Sequence, residues 1–156
     1  MKVFVDTSAF YALTSDTDRA HREARVIQEQ LKQLPPTLVT TNYVFLETFS
    51  LLQRRHGLEA AERFGNSLPH YVEIVWIDAS THQAAWEHWQ HTRQRGLSFV
   101  DCSCFVVMRT LGIHRAFAFD SQFQAAGFTL LKSTFPPEMV GEARGVYRVG
   151  RRKRTH

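Results

Sequence analysis

Cysteine is scarce in this chain: Cys102 and Cys104 are the only two, one residue apart in an apolar stretch. On a helix their side chains point in different directions, which argues against a disulfide. No second thiol pair exists to complete a thiolate metal site, so both are expected to be small buried packers. Long apolar runs are also missing. Nothing approaches the ~18 uninterrupted apolar residues of a membrane span, and Met1-Lys2-Val3-Phe4-Val5-Asp6 is too short an apolar opening for a signal peptide. A cytoplasmic location is the default expectation, with no membrane partner. Acidic residues are absent from positions 144 to 156, where Arg144, Arg148, Arg151, Arg152, Lys153 and Arg154 cluster. Removing those six positive charges from the net +4 leaves −2 for the rest of the chain. The basic character therefore belongs to a tail suited to a polyanion contact or to solubility, and not to the body. Neither an internal repeat nor a low-complexity block is present.

With 156 residues and 44% apolar content, the chain can bury one core. Val3-Phe4-Val5 reads as a strand ending at Asp6, and the stretch from Arg19 to Leu34, preceded by Asp16 and Asp18, as a capped helix. Pro35-Pro36 stops that helix, Leu38-Val39-Thr40 is β-prone, and Asn42 opens a helical pattern that Gly57 ends after His56. A short helix from Leu58 to Leu68 precedes the strand Val72 to Ile77. Ser80 to Gln83 fits a capping box for a helix reaching about Arg95. Ser98 starts an apolar helix through Leu111, Arg115 to Phe119 is a strand, and Phe128 to Leu131 is a last short one. Alternating strands and helices predict an α/β fold whose parallel sheet is flanked by helices through right-handed crossovers. Ligands of such sheets bind beyond the carboxyl ends of the strands.

Two acids fall at those ends, Asp6 after the first strand and Asp120 after the strand from Arg115 to Phe119. Asp101 lies in the first turn of the helix starting at Ser98, and Glu47 lies early in the helix starting near Asn42. Each has a structural alternative. Asp101 fits the third position of a capping pattern worth ~0.5 to 1 kcal/mol, Asp120 fits a helix cap, and Asp6 fits an Asx turn. Glu47 resists such a reading, because Val44, Phe45, Leu46, Phe49, Leu51 and Leu52 leave little of its helix facing solvent. Carboxylates converging on one rim repel one another unless a cation compensates them. Oxygen donors without histidine or thiolate suit Mg²⁺ or Mn²⁺ over zinc. Such ions commonly serve in-line phosphodiester hydrolysis.

Four segments carry a family resemblance: Phe4-Val5-Asp6-Thr7-Ser8-Ala9-Phe10, Asn42-Tyr43-Val44-Phe45-Leu46-Glu47, Leu97-Ser98-Phe99-Val100-Asp101, and Ala118-Phe119-Asp120-Ser121-Gln122-Phe123. In order, they resemble the four acidic motifs of PIN domains, especially VapC-type toxins, and the likeness runs from about Lys2 to Leu131. It implies a PIN-like three-layer α/β/α sandwich, its central sheet mostly parallel, twisted and of four to five strands. It also implies that Asp6, Glu47, Asp101 and Asp120 form a catalytic, metal-binding site for Mg²⁺ or Mn²⁺, with Ser8 supporting the first aspartate. The implied activity is a metal-dependent endoribonuclease leaving a 5′-phosphate and a 3′-hydroxyl. For the toxin branch, the resemblance adds a VapB-type antitoxin and a homodimer. The expected domain spans residues 1–132, and the resemblance does not cover the basic tail, 133–156. That tail reads either as a solubilising end or as an RNA phosphate contact through Arg151, Arg152, Lys153 and Arg154.

Further clusters have structural readings. His82, His88 and His91 with Trp86 and Trp89 read as a packed aromatic face with a solvated histidine edge, and His21 is read likewise. Arg54-Arg55-His56 suits the end of a helix dipole. Phe10, Tyr11, Phe45 and Phe49 read as core or partner-groove residues. Competing functional readings are a nuclease of this fold outside any toxin–antitoxin pair, a non-catalytic RNA-binding or scaffold protein, and a phosphoacceptor domain. The last lacks the basic residue expected after the penultimate strand.

Overall fold

Val3, Phe4 and Val39 are wholly buried and Val5 nearly so, as in parallel strands covered by helices on both faces. The computed structural model describes residues 1–134. Arg151, Arg152, Lys153 and Arg154 lie outside the described residues. Five parallel strands, β1 (Lys2–Val5), β2 (Thr37–Thr41), β3 (Glu73–Val75), β4 (Arg115–Phe117) and β5 (Thr129–Leu130), form one sheet in the order β3-β2-β1-β4-β5. Helices α1 (Thr7–Thr14) and α2 (His21–Gln33) join β1 to β2. Between β2 and β3 come α3 (Asn42–His56), α4 (Leu58–Ser67) and a 3₁₀ turn at Leu68–His70. Next, α5 (Ala79–Thr92) and α6 (Phe99–Thr110) lead to β4, and α7 (Ser121–Ala125) leads to β5.

Right-handed crossovers place α1 to α4 on one face of the sheet. After β3 the chain reverses its direction across the sheet, so α5 to α7 cover the other face. The result is the expected three-layer α/β/α sandwich, with a sheet that is parallel throughout. Phe4 turns toward Phe123 at a ring separation of 6.4 Å, and Phe105 meets both Phe123 and Phe128 at 5.1 and 5.5 Å. Val5 and Phe117 point to the opposite face, where they line an apolar groove with Phe10, Leu31, Leu38 and Phe64. Cys102 and Cys104 are free thiols buried in α6, as expected.

Several elements differ from the sequence expectation. Helix α1 is not anticipated: Thr7–Thr14 carries buried Thr7, Ala9, Phe10 and Ala12 in a segment too aromatic to read as helical. Helix α5 is capped by Asp78 and not by Ser80, the Asp78 Oδ1 accepting from the Thr81 N–H at 2.8 Å. It stops at Thr92 because Arg93 adopts the left-handed conformation, φ 42°. Strands β3, β4 and β5 are shorter than expected. β3 and β5 are edge strands paired on one side, while β4 ends where its register partner Val5 ends β1. Among the described residues no helix is long and apolar enough to cross a membrane.

Candidate active site

Strands β1 and β4 are neighbours whose connections leave to opposite faces, so a crevice opens at their carboxyl ends. Asp6 follows β1 directly and caps α1, while Asp120 follows β4 and caps α7, its Oδ1 accepting from the Gln122 N–H at 2.9 Å. Ser8 ties the two strand ends together. Its hydroxyl donates to Asp6 Oδ2 at 2.7 Å and accepts from the Phe119 N–H at 2.9 Å, and its own N–H reaches the same Asp6 oxygen at 3.1 Å. Asp101 is locked by a complete capping box: its Oδ2 accepts from the Ser98 N–H at 3.0 Å, and its N–H donates to Ser98 Oγ at 2.9 Å. The capping roles weighed for Asp6, Asp101 and Asp120 are therefore all present. Capping uses one oxygen of each and fixes where the carboxylate points.

Asp6 is 4% and Asp101 7% exposed. Burial is the main cause that pushes each carboxyl up to about 6, against the lowering effect of the Ser8 and Ser98 hydrogen bonds. The negative charge of Glu47 adds to the rise at Asp6, and those of Asp6 and Asp120 add to it at Asp101. Glu47 corrects the sequence reading, since its side chain is exposed and its neighbour Leu46 is 64% exposed. One flank of α3 is thus open to solvent. The Glu47 carboxyl still lies above its ordinary value, chiefly through burial of part of the group, then through Asp101 and Asp120, with the Thr7 hydroxyl opposing. Thr7 in turn accepts from buried Thr48 at 3.1 Å, which forms a relay from Thr48 through Thr7 to Glu47.

The four acids therefore share one electrostatic neighbourhood. As placed, no three acid, histidine or cysteine side chains among the described residues are gathered tightly enough to hold a metal ion. Convergence is met only in part. The donor chemistry nonetheless fits a hard divalent cation. Among the described residues the one ion pair joins Lys32 to Glu29 on the exposed side of α2, so no lysine or arginine there neutralises the rim. Buried carboxylates without a counter-charge are costly, and an oxygen-seeking ion removes that cost.

Elsewhere, His88 and His21 fit their structural readings, whereas the aromatic face of α5 is packed only in part, Trp86 being exposed. The His88 ring meets Phe105 edge-on at 6.5 Å, and His21 Nδ1 lies 2.6 Å from the Ala12 carbonyl oxygen. Phe10 and Phe45 each lie 5.5 Å from Phe64, and Phe45 stacks on Phe49 at 6.1 Å. Tyr11 differs, being partly exposed with the Arg55 guanidinium 5.3 Å over its ring and its hydroxyl 3.2 Å from His56 Nε2. The sequence reading did not single out Thr7 or Thr48. Thr7 adjoins Asp6, which is a signal of a kind, but nothing marks Thr48 within an apolar helix.

The PIN domain family model matches residues 3–129. Two curated relatives, the 23S rRNA-specific endonuclease VapC20 of Mycobacterium tuberculosis strains CDC 1551 / Oshkosh and ATCC 25618 / H37Rv, are each 39% identical over 127 residues. Those residues span 81% of this chain and 95% of each relative. The crystal structure of Mycobacterium tuberculosis VapC20, described as a sarcin-ricin loop cleaving toxin, aligns with a TM-score of 0.74 at 39% identity. It covers 83% of this chain and 98% of that one. PAE2754 from Pyrobaculum aerophilum, at 19% identity and a TM-score of 0.55 over 93% of this chain and 96% of its own, shares the fold. From the acid-bearing strand ends and these matches together, the chain belongs to the PIN domain family.

Proposed function

We propose that this protein is a divalent-metal-dependent endoribonuclease, the toxin of a type II toxin–antitoxin pair, acting on an exposed loop of ribosomal RNA as its VapC20 relatives do on 23S rRNA. The observation that carries the reading is the uncompensated rim: Asp6 and Asp101 buried, Glu47 and Asp120 beside them, and no cationic side chain paired with any of them among the described residues. Asp6, Glu47, Asp101 and Asp120 would hold Mg²⁺ or Mn²⁺. Such an ion supplies Lewis acidity toward the phosphodiester and lowers the pKa of attacking water. Ser8 and Ser98 keep two of the carboxylates aimed, and Thr7 steadies the third. Deprotonated acids are needed to bind the ion, so burial and mutual repulsion tune the pH at which the site loads.

The partners in this reading are the RNA, a VapB-type antitoxin covering the rim, and a second copy in a homodimer. Arg151, Arg152, Lys153 and Arg154 would add phosphate contacts. Cleavage of a sarcin-ricin stem-loop RNA in Mn²⁺ is the direct test. Asp6→Asn should lower the rate at least as much as the roughly 100-fold loss of an outer-shell partner. Equal cleavage by the two chains overturns the assignment of this rim.

A further inference from the structure

A line of aromatic rings begins at the starts of α3 and α6, the helices that carry Glu47 and Asp101, and continues onto α5. Tyr43 lies in the first turn of α3, one turn ahead of Glu47, and Phe99 is the first residue of α6, between the cap Ser98 and Asp101. Their ring centres are 6.4 Å apart, so the two helix starts that bring acids to the rim also meet through aromatic side chains. His82 joins both, 5.1 Å from Phe99 and 5.9 Å from Tyr43, with the Tyr43 hydroxyl hydrogen-bonded to its Nδ1. His82, Trp86 and Trp89 are spaced four and three residues apart on α5 and share one face. Trp86 meets Phe99 edge-on at 6.0 Å and lies stacked on Trp89 at 5.5 Å with 13° between the planes.

Aromatic residues at helical spacing usually face a core. This set does so only in part: Trp89 and Phe99 are half-buried and pack against the core, whereas Trp86 is 41% exposed, His82 is exposed and Tyr43 is half-buried. We propose that these rings form a nucleobase-stacking subsite, in which an unpaired base next to the scissile phosphate lies against Trp86 and its neighbours. The inference rests on the rim being a nuclease site and names how that site holds its substrate. Continuity favours a base as occupant, because Tyr43 lies one turn from Glu47 on α3 and Phe99 opens the helix that carries Asp101, so the two helix starts that bring acids to the rim also begin the line of rings. Chemistry favours it as well. The set offers flat ring faces with polar edges at His82 and Tyr43, the features on which unpaired bases stack and hydrogen-bond. Ring faces accept any base, so the subsite would select unpaired over paired RNA more than one sequence over another.

The test uses the full chain with Ca²⁺ in place of Mg²⁺ or Mn²⁺, and two probes: a short oligouridylate, and an abasic ribose-phosphate strand of the same length. The oligouridylate should quench tryptophan emission and bind at least about tenfold more tightly than the abasic strand. Trp86→Ala should remove that difference, Trp86→Phe should keep most of it, and Trp76→Phe, altering the exposed tryptophan outside the line, should change neither affinity. Equal binding of the two probes by the unaltered chain overturns the proposal without recourse to any variant. So does undiminished base preference in a Trp86→Ala chain that melts as the unaltered one does. The enzyme reading is judged separately, by RNA cleavage in Mn²⁺. Cleavage without base preference removes only the subsite, and base preference without cleavage removes only the catalysis.

Discussion

The Ser8 hydroxyl and the Thr48–Thr7 relay show that the rim depends on residues that carry no charge. Thr7→Val removes the hydroxyl that steadies Glu47 and leaves the core contact of the side chain. Cleavage at limiting Mn²⁺ should fall about 10-fold or more, with much of it recovered at saturating ion and restored by Thr7→Ser. An unchanged Mn²⁺ dependence would remove Thr7 from the site. Asp6→Asn has a second readout. Replacing a buried carboxyl held up at about 6 by a neutral isostere should raise the melting temperature of the metal-free chain near pH 7.5 while activity is lost. A merely structural Asp6 would give a lower melting temperature. The positions of Asp6, Asp101 and Asp120 were legible because each lies just beyond a strand's end or in a helix's first turn. The exposure of Glu47 was not, because an apolar run does not reveal which flank of its helix stays open.

At the scale of elements, the capping box at the start of α6 links fold to chemistry, since Asp101 is both third-position cap partner and rim acid. Ser98→Ala should cost about 1 kcal/mol and lower the melting temperature by roughly 2–6 °C, with Ser98→Thr largely neutral. Activity should fall more than stability does, because Asp101 loses the hydroxyl that accepts its N–H. Equal melting of Ser98→Ala and the unaltered chain would show the cap to be idle. Strands β1 and β2 and helices α2, α3, α4 and α6 were readable from period and caps. Helix α1 was hidden because Phe10 and Tyr11 mask its period. Register, not composition, set the end of β4, and that information lies in β1.

For the molecule as a whole, pH should act in an uncommon direction. Asp6 and Asp101 are held at about 6 in the folded chain against 3.8 for an ordinary aspartate, so the neutral form is the one folding favours. The stability they contribute is fully present below 3.8 and is lost as the pH rises through about 6. The metal-free melting temperature should therefore fall between about pH 5 and about pH 7, and Mn²⁺ should restore it at the higher pH and hardly alter it at the lower. A metal-free chain that gains stability over that interval would contradict this. Ser133 and Thr134 still contact Glu23 and Gln30 of α2, so a truncation after Thr134 keeps those contacts. It should flatten the salt dependence of RNA binding by up to about 4 in log–log slope if the six cationic side chains that follow all meet phosphates. The sequence order of the strands has a further consequence. Asp6 and Asp120 lie far apart along the chain, and they become neighbours only when β4 aligns beside β1. A chain in which β4 has not yet docked would therefore carry an incomplete acidic rim, so the site can be finished only late in folding.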